Sequence, residues 1–123
     1  MNANVLRIGN FVNAINKRHS EKYIKVESIS SDFINQDFRL YHVSNLIPLE
    51  LTTDWILKGG FEKFDRKFVF ENDTKYFIEL DLEQRYCLRI KISKDYSAFI
   101  CELEHVHQLQ NIMFAIRGEE LVF

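Results

Sequence analysis

A chain of 123 residues with 46% apolar and 28% charged residues and a single proline has the make-up of one folded domain, not of a disordered or fibrous protein. Its net charge of −2 argues against wholesale polyanion binding, which is usually served by a basic excess. No apolar run approaches the roughly 20 residues needed to span a bilayer, so a membrane-spanning helix is excluded and no membrane partner is expected.

Eleven Phe and five Tyr favour strands and large buried areas, so a sheet-dominated fold is the first expectation. Residues 5–50 read as short strands at Leu6 to Val12, Tyr23 to Ile29 and Phe38 to Val43. Polar turns at Asn16 to Lys22 and Asn35-Gln36-Asp37 separate them, forming a small curled sheet like an SH3-type barrel. Pro48 forces an extended approach to a short helix at about 52–58. Thr52 is its N-cap, Asp54 sits in the favoured first turn, Leu51 and Ile56 form a hydrophobic staple, and Gly59-Gly60 ends it.

From Phe61 the period becomes two. Tyr76, Ile78, Leu80 and Leu82 alternate with polar residues, as do Tyr86, Leu88, Ile90 and Ile92 on the next strand. A tight turn at Glu83-Gln84-Arg85 pairs Leu82 with Tyr86 and Glu79 with Arg89. A second turn at Ser93-Lys94-Asp95 sets Ala98 beside Ile90, Phe99 across from Arg89 and Cys101 across from Cys87. Phe77, Phe99, Cys101 and Leu103 then make the second face of this meander half apolar, so a cover is expected there: the N-terminal strands, the terminal helix or a second protomer. Val106, Leu109, Ile112, Met113 and Ile116 recur at helical spacing until Gly118, which predicts a terminal helix over 105–118 packed on the meander.

Few residues suggest chemistry. Cys87 and Cys101 lack a Cys-x-x-Cys spacing and read more naturally as small apolar packing than as a metal or redox pair. With an opening Met1 and no charged-then-apolar leader, they predict a cytoplasmic protein with reduced thiols. His105 and His107, two apart, point about 200° from each other on a helix and cannot chelate together. His107, Gln108 and Asn111 share a polar helix face that suits recognition of a peptide backbone or a base edge, although such groups more often satisfy nearby loops. Residues 1–31 hold five basic against two acidic side chains, and Lys17, Arg18, Lys22, Tyr23 and Lys25 combine charge with a ring in the manner of a nucleic-acid platform. Lysines of this kind also protect exposed strand edges. No nucleophile elbow, phosphate loop, zinc helix motif or dinucleotide fingerprint is present, so neither a catalytic residue nor a cofactor or metal is assigned.

Three islands share a common look: Leu6-Arg7-Ile8-Gly9-Asn10-Phe11-Val12; Leu51-Thr52 with Trp55-Ile56-Leu57-Lys58 and Gly60-Phe61; and Val106 to Asn111 with Phe114-Ala115 and Gly118 to Leu121. Together they resemble a family of small proteins of unknown function encoded in Bacteroidetes genomes and their phages or mobile elements. Gly59 and Arg117 depart from that pattern, which expects an aromatic or apolar residue and a threonine there. The resemblance implies no activity, but it implies an accessory factor acting through binding rather than a metabolic enzyme.

The expectation is therefore one α+β domain over 1–123, with an N-terminal β region at 1–50, a short helix at 51–60, an antiparallel meander at 61–103 and a helix at 105–118. A non-enzymatic protein-interaction module is the favoured function, with a protein partner or a homodimer through the second sheet face. A nucleic-acid-binding accessory protein using residues 17–25 is the alternative, and an undetected enzyme using Cys101 or His107 is the third.

Overall fold

A computed structural model describes residues 1–71 and 73–123. Short polar-punctuated segments at the start of the chain give short strands: β1 (Phe11–Ala14), β2 (Ile24–Lys25), β3 (Ser28–Ile29), β4 (Phe33–Gln36), β5 (Arg39–His42) and β6 (Leu46–Ile47). They form two three-stranded antiparallel sheets, ordered β2-β1-β6 and β3-β4-β5. The fold is α+β, and no sheet closes into a barrel among the described residues.

The expected single curled sheet is thus two sheets. The turn expected at Asn35 to Asp37 lies two residues later, because Asp37 and Phe38 take positive φ of 51° and 63° and close a two-residue hairpin between β4 and β5. Ile24, Val26, Ile34, Tyr41 and Leu46 from both sheets bury together with Leu6, Val12 and Ala14 in one apolar cluster.

Helix α1 (Thr53–Lys58) follows the expected plan: Thr52 accepts the Trp55 backbone N–H at 3.4 Å, and Leu51 and Ile56 are both buried. Gly60, at φ 100°, turns the chain into the meander β7 (Phe61–Phe64), β8 (Lys67–Phe70), β9 (Asp73–Leu80), β10 (Tyr86–Ser93) and β11 (Tyr96–Leu103). These strands form one antiparallel sheet in the order β11-β10-β9-β8-β7. Helix α2 (Val106–Arg117) buries Val106, Leu109 and Met113 and ends at Gly118, which takes the left-handed φ of 74°.

The chain divides into two compact units, Met1–Glu50 with His105–Glu119, and Leu51–Glu104 with Glu120–Phe123. The terminal helix, expected on the meander, belongs with the first unit. The cause lies in its polar side chains. Gln110, 2% exposed, donates to the Gly9 carbonyl at 2.9 Å and accepts from the Phe11 N–H at 2.8 Å, while Asn111 accepts from Asn10 Nδ2 at 2.8 Å and from Arg7 Nε at 3.0 Å. Asn111 also donates to the Val5 carbonyl at 3.0 Å, and Asn10 Oδ1 accepts from the Arg7 N–H at 2.7 Å. The Arg7 guanidinium lies 4.2 Å above the Phe114 ring. Gly9, at φ 97°, interrupts the strand: its N–H donates to the Val26 carbonyl at 2.7 Å and the Asn10 carbonyl accepts the Val26 N–H at 2.8 Å, while α2 engages the Gly9 carbonyl and the Phe11 N–H that this pairing leaves over.

In the second unit two registers differ from expectation. The β9–β10 pairing is offset by two residues, Tyr86 facing Leu80 and Leu88 facing Ile78. The Asp81 carboxylate accepts the Glu83 and Arg85 backbone N–H groups at 3.0 and 2.8 Å, which opens the turn to five residues, and Leu82 becomes 88% exposed instead of paired. A two-residue offset preserves the faces, so Glu79 and Arg89 still meet, diagonally, at 3.7 Å. Between β10 and β11, Ala98 faces Ile90 and Phe99 faces Arg89 as expected, but a bulge then moves Cys101 opposite Leu88 and Leu103 opposite Tyr86. Both leave the second face for the first.

Candidate interaction edge of the meander

The polar trio expected on α2 is engaged inside the molecule. His107 is buried, Gln108 accepts the His105 N–H at 2.9 Å at the helix start, and Asn111 is held in the network with Arg7 and Asn10. His105 is the extended N-cap, with φ −130° and ψ 153°, so its ring stacks on that of His107 with centroids 5.7 Å apart instead of pointing away. Burial, reinforced by His105, pushes the His107 imidazole down to about 4, so it stays neutral at physiological pH. Its Nδ1 has no hydrogen-bond partner among the described residues.

The basic loop is partly neutralised. Arg18 lies 3.8 Å from Glu21 and 3.6 Å from Asp37, and Lys17 Nζ donates to the Lys22 carbonyl at 3.2 Å. Tyr23 packs edge-on against Phe11 with centroids 4.8 Å apart, while Lys22 and Lys25 are exposed. A residue missed by sequence reasoning stands beside this loop: Phe38, at the tip of the β4–β5 hairpin next to Asp37, is 99% exposed. Read as a strand residue, it gave no signal. The dipeptide Asp37-Phe38 lacks the glycine that marks such turns.

Cys87 and Cys101 are free thiols and not directly opposed. Burial is the first cause that pushes both upward, and Cys87 is also raised by Asp81, toward which its thiol points at 3.9 Å. Both therefore stay protonated near neutrality, the wrong form for a nucleophile or a metal ligand. No group of three or more His, Cys, Asp or Glu is placed to hold a metal among the described residues. Neither Cys101 nor His107 lines either of two described cavities, both on the meander.

The second face of the meander carries one row across four strands, Val69, Phe77, Arg89 and Phe99. Lys67 Nζ sits 5.0 Å from the Phe77 ring centre, and the Arg89 guanidinium sits 5.9 Å from that of Phe99. With Cys101 and Leu103 moved to the other face by the bulge, this face is more polar than expected. Its charge is divided lengthwise. A shallow cavity of about 300 Å³ near the β10–β11 turn is lined by Lys67, Lys91 and Lys94 against Asp95, with Phe77 and Tyr96 among its other walls. The opposite end, a hollow of about 400 Å³, has Glu79, Asp81 and Glu83 against Arg66 and Arg85.

The two edges of the sheet differ more than its faces. β7 is four residues long and carries Glu62 and Lys63, both exposed, which is ordinary protection against strand pairing. β11 is eight residues long and contains no Lys, Arg or Pro. It pairs with β10 alone among the described residues, and Tyr96, Phe99 and Ile100 stand 63%, 54% and 37% exposed along it. Its only charge is Glu102, 3.4 Å from Arg85. The backbone N–H and C=O groups on its outer side are a template for an added strand.

No protein-family model, curated protein or solved structure matches the chain. No described helix is long and apolar enough to cross a membrane.

Proposed function

We propose that this chain is a non-enzymatic protein-interaction module that accepts an extended strand on the outer edge of β11, serving as a cytoplasmic accessory factor of phage or mobile-element type. One observation carries the proposal: an eight-residue edge strand without lysine, arginine or proline keeps three large apolar side chains in solvent. Natural sheets leave such an edge open where a strand is to be added, because otherwise it invites uncontrolled association. The test is recovery of partners on tagged protein after nuclease treatment, with Phe99→Lys as the comparison. A protein retained by the wild type and lost from Phe99→Lys is the expected result. Equal recovery on both proteins, or recovery of nothing, would overturn it.

A second reading, nucleic-acid binding through residues 17–25, draws support from Phe38. Its exposed ring stands next to Asp37, which is paired with Arg18, so a stacking platform and a basic loop lie side by side. Against it stands the pairing of Arg18 with two carboxylates. Binding of a single-stranded oligonucleotide that weakens in Phe38→Ala and in Lys22→Ala would support this reading, and affinity unchanged in both would end it.

A further inference from the structure

A regular pleated sheet offers no hollow on its face, yet one of about 300 Å³ opens near the β10–β11 turn of the meander. Two bulges shape it. The register shifts between Lys91 and Ser93 on β10 and between Val69 and Phe70 on β8, and residues beside both shifts line the hollow. Bulges bend a strand and re-aim its side chains, so the consecutive residues Tyr96 and Ser97 both reach this hollow, although a regular pleat would send them to opposite faces. Phe77, 7% exposed, forms the floor, and Lys67 Nζ lies 5.0 Å from its ring centre. Tyr96, 63% exposed, is the ring left open to a ligand.

The charge of the hollow is unbalanced. Lys67, Lys91 and Lys94 line it against Asp95 alone, which leaves two positive charges, and no carboxylate stands within 4.0 Å of any of the three ammonium groups among the described residues. Glu79, opposite Lys67, lies 3.7 Å from Arg89, so that pair cancels itself, and Asp73 and Lys75 on β9 add one charge of each sign. Protection of a sheet edge does not account for these lysines, since β8 and β10 are both interior strands. Thr74, Ser93 and Ser97 bring hydroxyl donors to the same wall. A phosphate monoester carries about 1.5 to 2 negative charges near neutrality on three strong acceptor oxygens, which matches both the charge and the donors, whereas a carboxylate would leave a cation unmatched. We infer that this hollow binds a small phosphate monoester carrying a planar ring, of the nucleoside 5′-monophosphate class, with its phosphate among Lys67, Lys91 and Lys94 and its ring against Tyr96. The volume lies at the lower end of the roughly 300 to 1,000 Å³ typical of small-molecule sites, which suits a single nucleotide. The site is separate from the outer backbone edge of β11, and neither reading needs the other.

Calorimetric titration of the full chain at low salt with adenosine 5′-monophosphate, inorganic phosphate and adenosine tests the inference. The monophosphate is expected to bind tightest and adenosine weakest, and added sodium chloride should weaken both phosphates by screening the exposed lysines. Lys91→Glu exchanges a cation for an anion and should weaken the monophosphate and inorganic phosphate alike, by about tenfold or more. Tyr96→Ala should weaken the monophosphate by about fivefold or more and leave inorganic phosphate unchanged, because only the ring contact is lost. Circular dichroism spectra matching the wild type show that the variants are folded, and Lys94→Gln in the turn, with an expected loss of roughly threefold, keeps the test open if Lys91→Glu is not. Absence of monophosphate binding at millimolar concentration, or affinity unchanged in the folded lysine variants, would overturn the inference. Inorganic phosphate binding as tightly as the monophosphate, with no effect of Tyr96→Ala, would overturn the ring contact and make free phosphate the occupant.

Discussion

In the unit made from the first 50 residues and α2, side-chain amides do work that backbone ladders do in the meander. Asn10, Gln110 and Asn111 bridge a loop with a positive-φ glycine to a helix, whereas β7 to β11 satisfy one another along regular antiparallel pairs and bury Phe68, Ile78 and Leu88 between them. The contrast teaches that strands of two to four residues are too short to hold a core by pairing alone, and that the amides of Asn10, Gln110 and Asn111 supplement it by bonding to one another and to the backbone. This bonding also ties the segment Arg7 to Asn10 to the segment Gln110 to Phe114, at opposite ends of the chain. They are two halves of one hydrogen-bonded structure, so their residue types are fixed by each other.

The comparison can be broken from either side. In the meander, Leu88→Ala leaves a cavity in a fully buried site and should cost about 4 kcal/mol, measured as a shift of the urea midpoint. In the other unit an apolar replacement should do comparable harm: Gln110→Leu strands the Phe11 N–H and the Gly9 carbonyl, for a loss of about 3 kcal/mol in the same assay. No buried amide of the meander offers a counterpart among the described residues.

Acid should separate the units further. His107 titrates at 6.5 when unfolded and near 4 when folded, so the unfolded chain binds more protons between these values. Its contribution is complete above pH 6.5 and lost as the pH falls toward 4, with a ceiling of about 3 kcal/mol set by that shift. Urea midpoints taken across this window should therefore fall for the wild type and fall less for His107→Gln.

Gly118→Ala should cost about 1 kcal/mol, because open space surrounds the added methyl and only the left-handed φ of 74° opposes it. Thermal unfolding measures this directly. The smallest effect belongs to Asp81→Ala at an exposed turn. The Arg85 backbone N–H, the main cause holding the Asp81 carboxyl below its usual range, loses its acceptor, so amide exchange at Arg85 should accelerate with little change in the melting temperature.

Much of this fold is legible in residue order. Thr52, Leu51, Ile56 and the paired glycines mark α1, and Val106, Leu109, Met113 and Gly118 mark α2, because caps and periodicity act locally. The face pattern of β9 and β10 is legible too, while their register is not. Any even offset keeps Ile78 and Leu88 on one face, and the choice among offsets was made by the Asp81 carboxylate closing its own turn. Which layer α2 joins was hidden as well, since the apolar stripe names no partner and the polar side that decides it looks like a solvent face until Arg7 and Asn10 are brought to it. The edge of β11 was invisible for another reason. Whether a strand ends a sheet depends on strand order, and the sequence of β11 differs from that of an interior strand only in lacking protection on a side it does not reveal.

The bulge between Phe99 and Ile100 divides β11 into two phases of the pleat. Everything before it counts odd residues onto the charged face, and everything after it counts odd residues onto the core, with Leu103 3% exposed as the anchor. Deleting Ile100 would remove the bulge and leave Cys101 and Leu103 on the core face, opposite Leu88 and Tyr86. The strand thus holds one residue more than its pairing needs, so loss of that residue keeps the faces, whereas one further insertion before Leu103 would turn it outward.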